Sequence, residues 1–307
     1  MTAGHVPLSR AAAFGFAFVT SLVLWLRPIS STVSLALADE RYTYVLLVAP
    51  LVTWILLRAS RDPGRTFKSV PIAFVVLPLS GVAAFAAFRS TLISGEARLT
   101  MEILCLTAWW IAAYIACFGL GTSKLERFAL EFLVLGVPLP PVVMDRLVDV
   151  LQWGSVFATE GLFKLFQVPV LRDGTKLQIP GLDVNIAGEC SSIRSTTFLL
   201  LATVLIAHLV LESSWKKWLV VLLVIPISVA RNGFRIFTIS VLATELDSSF
   251  LTGRLHRSGG VVFYLGSLLV VGLCMFWLTR GTAGRRTEPG GDLSRPGVPL
   301  RGKSASL

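Results

Sequence analysis

The stretch that decides the fold runs from Trp218 to Ala243 and reads WLVVLLVIPISVARNGFRIFTISVLA. It is long and apolar enough to cross a bilayer as a helix, which takes roughly 20 residues. Two arginines interrupt it, Arg231 and Arg235, and their spacing of four residues places them on one helix face. Because charged side chains inside a membrane span are costly, they tend to be functional or paired. The stretch predicts a membrane protein with polar chemistry near one end of this helix.

The same hydropathy recurs along the whole chain. Hydrophobic residues make up 54% of the 307 and charged residues 15%, a composition too apolar for an ordinary soluble domain. We expect one multipass domain over 1–279 and a disordered basic tail over 280–307. The fold class is all-α, a polytopic membrane bundle of about eight transmembrane helices at 11–26, 42–57, 70–88, 100–120, 128–144, 196–211, 218–243 and 260–279.

The distribution of the basic residues indicates how the chain is oriented in the membrane, and it does not indicate a nucleic-acid partner. The formal net charge is +10, but its Lys and Arg residues lie in short loops and in the tail, without a basic stripe interleaved with aromatics. Fifteen of them fall on the side of the tail and ten on the other side, so the positive-inside rule predicts a cytoplasmic tail. Ala36-Leu37-Ala38 resembles a signal-peptidase site, which leaves open whether the first run is retained.

The loop after the fifth run is the longest and most polar part of the chain. Gly136 to Pro141 contains three prolines, which end or kink the preceding helix because proline lacks a backbone donor. Apolar residues at helical spacing over 145–166 predict an amphipathic helix along the membrane interface. Residues 168–171 and 176–179 flank Asp173-Gly174 and predict a hairpin. This small extracytoplasmic region either holds a peptide or only packs, and both interpretations remain open.

One cysteine differs from the other three in its setting. Cys190 lies in Gly188-Glu189-Cys190-Ser191-Ser192-Ile193-Arg194, where a polar loop turns into an apolar helix. The other cysteines, Cys105, Cys117 and Cys274, fall inside predicted spans, where a free thiol is usually a small buried hydrophobe. Cys190 is therefore the candidate for a reactive thiol.

Three side chains of complementary chemistry are predicted at one depth. Arg235 lies about 26 Å along its helix from Trp218, His256 precedes the outer start of the last span, and Cys190 precedes that of the sixth. A neighbouring His or Arg favours the thiolate, His256 can protonate a leaving amine, and Arg235 can hold an oxyanion. The alternative is that Cys190 is structural, His256 solvated, and Arg235 snorkelled or paired with Glu245. No metal cluster or phosphate-binding loop is evident, so no metal or cofactor is expected.

At these residues the sequence resembles the exosortase/archaeosortase family, whose members are polytopic membrane enzymes that process proteins with a C-terminal sorting signal. The resemblance covers about 136–278, with an exosortase-like core of about 128–279. One departure is Ser192, since the family usually has Cys-Ser-Gly, and it predicts an altered signal preference. The motifs that carry the resemblance are Val137-Pro138-Leu139-Pro140, Pro180-Gly181-Leu182-Asp183-Val184, Glu189-Cys190-Ser191-Ser192-Ile193-Arg194-Ser195, Asn232-Gly233-Phe234-Arg235-Ile236 and His256-Arg257-Ser258-Gly259-Gly260-Val261-Val262-Phe263.

The resemblance implies a function and a set of site residues. The nucleophile falls on Cys190, the essential arginine on Arg235 and the proton-handling histidine on His256, while Arg194 and Asn232 are secondary candidates for binding substrate. The implied protein is a cysteine protease or transpeptidase of the bacterial inner membrane with its site facing the periplasm. Its expected partners are exported proteins with a Pro-Glu-Pro type signal, membrane lipids and exopolysaccharide machinery.

Two further interpretations stay open. One is a transporter or assembly factor for exopolysaccharide or lipid-linked sugar, in which Arg231 and Arg235 bind an anionic head group. The other is a catalytically inactive scaffold of the same fold.

Overall fold

The computed structural model describes residues 8–59, 67–68, 73–89, 95–121, 124–186, 192–245 and 260–283. Helices account for most of them. In chain order the helices are α1 Leu8–Leu24, α2 Leu26–Ala38, α3 Val45–Ala59, α4 Ala73–Arg89, α5 Gly95–Phe118, α6 Lys124–Leu133, α7 Pro141–Leu165, α8 Ile193–Val210, α9 Ser214–Glu245 and α10 Gly260–Ala283, with short 3-10 turns at Glu40–Tyr42 and Val134–Gly136.

The spans confirm a polytopic helical membrane protein. Five of the described helices are long and apolar enough to cross a bilayer, and the number rises to seven if each of two bent helix pairs forms one span. The shorter apolar helix Val76–Ala86 lies in the remaining predicted run, 70–88. Each of the eight apolar runs therefore contains helical structure among its described residues.

The predicted run 128–144 is not one helix, because the break that its prolines predicted falls inside it. Helix α6 ends at Leu133, a 3-10 turn follows over Val134–Gly136, and α7 begins only at Pro141. The two helical segments are bent by 91° at this break, because the prolines at 138, 140 and 141 cannot donate the hydrogen bonds that would continue a helix. The amphipathic pattern over 145–166 correctly predicted a helix, since α7 extends over Pro141–Leu165.

The N-terminal helices are packed into the bundle. Helices α1 and α2 meet at a bend of 70°, and Trp25 at the bend donates from Nε1 to the backbone oxygen of Glu102 at 3.0 Å. Ala36, within the sequence that resembles a peptidase site, is buried in the main core cluster together with Tyr42 and Met144. The described fold thus uses this segment as part of its core.

A three-stranded antiparallel sheet follows α7. Its strands are β3 Leu171–Asp173, β4 Lys176–Ile179 and β5 Leu182–Asn185, in the order β3-β4-β5, and a separate two-residue ladder pairs β1 Phe67–Lys68 with β2 Leu120–Gly121. The predicted hairpin is confirmed, but its first strand begins at Leu171 rather than at 168. Strand β5 was not predicted. Its turn depends on Gly181, whose φ of +81° suits glycine.

The sheet packs against helices α7 and α9. A buried cluster joins α7, the sheet and α9, and its members are Val156, Phe163, Leu177, Ile179, Ile186 and Phe237. Helix α9 has 32 residues, about 48 Å at 1.5 Å per residue, against roughly 30 Å for the hydrocarbon core. Helix α9 is therefore longer than one perpendicular span requires, and it supports the sheet through Phe237.

An ion-pair network connects helix α7 to the 3-10 turn that precedes α3. Arg41 lies 2.7 Å from the Asp39 carboxylate and 2.9 Å from that of Asp145. Burial alone would raise the pKa of Asp39, but the hydrogen bonds and the charge of Arg41 outweigh it, and the pKa is lowered from 3.8. The ion pair therefore stabilises the fold above that pH, and the stabilisation is lost as the pH falls through the lowered pKa.

We expect Asp39→Asn to lower the free energy of unfolding near neutral pH by about 0.5–1 kcal/mol, the scale of a partly exposed ion pair. The loss should disappear in strong acid, where the wild-type carboxylate is itself protonated. Thermal unfolding in detergent at several pH values measures it. Asp149→Asn is the matched control, because Asp149 is exposed and forms no ion pair with any described residue. An equal loss of unfolding free energy at every pH would contradict a stabilising role for the ionised Asp39 carboxylate.

Candidate functional site

Helices α7 and α9 approach each other closely at two glycines. A Cβ at Gly233 would lie 2.6 Å from the Cβ of Ala158, and one at Gly154 would lie 2.8 Å from Cγ2 of Val229. Real Cβ atoms do not approach so closely, so neither position has room for a methyl group. The glycine in Asn232-Gly233-Phe234-Arg235 thus lets α7 lie directly against the polar residues of α9.

We expect Gly233→Ala to separate α7 from α9 and to destabilise the protein by about 1–3 kcal/mol, the usual cost of overpacking. Gly161→Ala on α7 is the matched control, because nothing lies within 4 Å of its added Cβ and alanine favours the helix by roughly 0.5–1 kcal/mol. Thermal unfolding in detergent compares the two variants. A Gly233→Ala protein as stable as Gly161→Ala would contradict the close approach.

Ser192 precedes α8 in a left-handed backbone conformation. Its φ and ψ are 57° and 29°, a region that favours glycine. This conformation gives a physical reason for the glycine that the family usually has at this place. Serine keeps the same backbone and adds a hydroxyl group.

That hydroxyl group connects α8 to α9. The Oγ of Ser192 donates to Oδ1 of Asn232 at 2.7 Å and accepts from Nη1 of Arg235 at 3.4 Å. Nδ2 of Asn232 donates to Oγ of Ser155 at 2.9 Å, and Ser155 donates to the backbone oxygen of Leu151 at 2.6 Å. Asn232 is 1% exposed. A continuous hydrogen-bond chain therefore runs from Arg235 through Ser192 and Asn232 to α7.

The two arginines of α9 have different surroundings. Nη2 of Arg231 lies 3.4 Å from Oγ1 of Thr196, and its buried Nη1 has no hydrogen-bond partner among the residues that the structure describes. Arg235, one turn further along, contacts Ser192. Both guanidinium groups lie at the start of α8, so positive charge is concentrated there.

Arg194 lies on the rim of this site. Its Nη1 is 3.3 Å from Oε1 of Glu40, and the side chains are 50% and 75% exposed. An exposed pair of this kind contributes little stability. Arg194 is therefore accessible to a ligand while remaining one turn or less from Ser192.

Of the three predicted catalytic residues, the structure describes only Arg235. Cys190 and His256 lie outside the described residues, and their chain neighbours Ser192 and Gly260 are the nearest described positions. The ring of Phe263, in the first turn of α10, lies 6.0 Å from that of Phe234 on α9 in an edge-to-face arrangement. The beginnings of α8 and α10 thus both lie beside the same part of α9.

The remaining cysteines occupy spanning helices, as predicted. Cys105 is buried and Cys117 half-buried in α5, and Cys274 is half-buried in α10. All three are free thiols.

Three polar or small residues of the site escaped the sequence analysis. Ser155 belongs to an amphipathic pattern with no chemical motif. Gly233 lies in a motif that gives no structural reason for a glycine. Ser192 is recognisable only as a departure from the family pattern. The sequence signal that pointed to Ser192 was its place in a position usually filled by glycine, which indicates a left-handed backbone.

These features define a polytopic helical membrane protein with a polar cluster in the C-terminal half of α9, the longest helix among the described residues. A family model described as transmembrane exosortase (Exosortase_EpsH) matches residues 25–273. The chain belongs to the transmembrane exosortase family. No curated protein and no solved structure matches it.

Proposed function

We propose that the chain is a membrane-embedded cysteine protease or transpeptidase that cleaves the C-terminal sorting signal of exported proteins. The thiolate of Cys190 attacks the scissile carbonyl carbon, and Arg235 stabilises the oxyanion that forms. The carbon–nitrogen bond breaks, His256 protonates the leaving amine, and a thioester remains on Cys190. Water or an amine acceptor then releases the product from the thioester, and His256 accepts the acceptor's proton.

The observation that carries this proposal is the contact between Arg235 and Ser192. Consecutive Cα atoms are 3.8 Å apart, so the Cα of Cys190 must lie within about 7.6 Å of that of Ser192. The guanidinium of Arg235 is already 3.4 Å from the Ser192 hydroxyl group. This bound supports the proposed pairing of the Cys190 thiol with Arg235.

The same reasoning supports the role of His256. It precedes Gly260 by four residues, which limits its Cα to about 15 Å from the first residue of α10. The edge-to-face contact of Phe263 with Phe234 ties that helix start to α9 one residue before Arg235. This contact and this bound support the proposed role of His256.

The substrate class follows from family membership. Exosortases process sorting signals, and we propose exported proteins with a Pro-Glu-Pro type signal, or a variant of it, as the partners. We propose that the sheet formed by β3, β4 and β5 offers a surface for an extended peptide, and Arg194, which is half exposed, is available to bind substrate. The whole segment 1–279 would act as one membrane domain together with its lipids.

We propose a bacterial inner membrane location with the site on the periplasmic side and the tail in the cytoplasm. An impermeant maleimide added to intact cells should then modify Cys190 and miss the three cysteines of α5 and α10. Cys190→Ser provides the control for labelling elsewhere. Labelling of Cys190 only after the cells are opened would indicate the opposite orientation, with the site facing the cytoplasm.

The test of the function is a covalent intermediate. A tagged exported protein with a sorting signal, taken from the genomic neighbourhood, is co-expressed with the chain, and complexes are resolved under denaturing conditions. We expect an adduct of the two proteins that resists a phosphine reductant, which would cleave a disulfide, and that is cleaved by neutral hydroxylamine, as a thioester is. Signal processing without any such adduct in wild type or in the His256→Ala variant would contradict the thioester route.

One observation favours a second candidate function. Arg231 is deep in α9, and no carboxylate among the described residues pairs with it. Two guanidinium groups on one face suit an anionic head group, so a transporter or assembly factor for exopolysaccharide or lipid-linked sugar is the alternative. It differs in not requiring Cys190.

A further inference from the structure

We propose that helix α7 is a positioning element that anchors both sides of the segment 187–191, and that Asn232 acts within this anchor rather than by touching substrate. This inference rests on the proposed function, because the anchored segment contains Cys190. The anchor itself consists of Gln152, Ser155, Ile186, Ser192 and Asn232, all of which the structure describes.

The first anchor point precedes the segment. Nε2 of Gln152 on α7 donates to the backbone oxygen of Ile186 at 2.6 Å, and the Ile186 amide donates to the backbone oxygen of Thr175 at 3.1 Å. Ile186 is 1% exposed. The chain therefore enters the segment from a fixed and buried position.

The second anchor point follows the segment. Ser192 is tied to Asn232 at 2.7 Å, and Asn232 is tied in turn to Ser155 at 2.9 Å. Gln152 and Ser155 are three residues apart on α7, so they lie on the same helix face. One turn of α7 therefore holds the chain on both sides of the nucleophile.

The burial of Asn232 decides its role. With 1% of its surface exposed, and with its amide oxygen and nitrogen each bonded to a serine, it can reach a substrate only by breaking the hydrogen bonds that hold Ser192. Its neighbour Arg235 contacts the same Ser192 hydroxyl group. Asn232 thus fixes Ser192 beside Arg235. Under the proposed function, removing the anchor lets the Cys190 thiol move away from the guanidinium.

A loosened anchor has a measurable electrostatic consequence. A nearby cation favours the thiolate and lowers the pKa of a cysteine, whereas a free cysteine titrates near 8.5. Moving the thiol away from Arg235 should therefore raise its pKa toward that value. A residue with only a structural role would change stability and leave this titration where it is.

The test uses the full-length protein in a background where Cys105, Cys117 and Cys274 are replaced by Ala. We measure the rate of Cys190 alkylation by iodoacetamide across pH, together with processing of the tagged reporter. Ser155→Ala should slow processing about tenfold, the kinetic equivalent of one lost hydrogen bond, and shift the alkylation profile to higher pH. Asn232→Leu should have a larger effect in the same direction on both measurements.

Ser228→Ala is the matched control. Ser228 is also a buried serine, one turn before Asn232 on α9, and its hydroxyl group has no hydrogen-bond partner among the described residues. It should leave both the alkylation profile and processing unchanged. Thermal unfolding of each variant confirms that the compared proteins are folded.

The outcomes separate the anchor from the proposed function. If Ser155→Ala and Asn232→Leu match Ser228→Ala in both measurements while Cys190→Ala stops processing, the anchor is wrong and the peptidase stands. If the anchor variants shift the alkylation profile although Cys190→Ala still processes the reporter, the anchor stands and the peptidase is wrong. If both measurements change in Ser155→Ala and Asn232→Leu but not in Ser228→Ala, and Cys190→Ala stops processing, the result supports both the anchor and the peptidase.

Discussion

Cys190→Ala is expected to abolish processing of the sorting signal, with a fall in rate of at least about a thousandfold. The proposed reaction passes through a covalent bond to sulfur, and a methyl side chain cannot form it. The assay is co-expression with a tagged substrate, in which processed and unprocessed forms are separated by gel electrophoresis. Insertion and abundance of the variant should match those of the wild type, because the substitution removes only one sulfur atom.

Cys274→Ala supplies the comparison for this variant. It removes the same atom from α10, where the side chain is half-buried among apolar residues, and it should process the signal normally. A Cys190→Ala protein that inserts normally and still processes the signal would exclude the thioester mechanism. The inactive-scaffold interpretation predicts no processing by the wild type either.

Arg235→Ala should lower processing by about 10²–10³-fold, the usual loss when one donor to an oxyanion is removed. Arg235→Lys should restore only part of the rate, because an ammonium group has neither the reach nor the planar donors of guanidinium. The measurement is the initial rate of reporter processing at matched protein levels. Arg280→Ala, at the far end of α10 beside Phe276, is the control for loss of an arginine.

The transporter alternative differs from the peptidase in its predictions for Cys190 and Arg231. Binding an anionic head group would use Arg231 and Arg235 together, so alanine at either position should abolish function and a serine at Cys190 should be silent. The peptidase requires that Cys190→Ser be inactive. Equal tolerance of Arg235→Ala and Arg280→Ala would contradict both interpretations.

The helical architecture could be predicted from hydropathy because the bilayer fixes the length and composition of a span. Seven of the eight predicted runs coincide with single helices or with a helix of a bent pair, and the Pro138 to Pro141 region correctly indicated a break. Its consequence for 128–144 was misjudged, because an apolar run has the same hydropathy whether or not it is broken by prolines. Hydropathy alone does not report backbone continuity.

The details of the site depended on contacts that no periodicity contains. Strand β5 is a four-residue strand whose polar residues, Asp183 and Asn185, resemble those of a loop. Ser155 gains its role only because Gly233 lets α7 approach α9. The position of Ser192 was recognisable as unusual, yet its bond to Asn232 required the tertiary structure.

The most direct test of the central claim is whether Cys190 and position 256 meet. A His256→Cys variant is made in a background where Cys105, Cys117 and Cys274 are replaced by Ala, with a protease site inserted at Glu212 between α8 and α9. Cα atoms must come within about 7 Å for a disulfide to form. After mild oxidation and cleavage, we predict that the two fragments stay joined until reductant is added. Leu269→Cys, exposed and deeper in α10, should give separate fragments. Separate fragments from the His256→Cys protein as well would contradict a shared site.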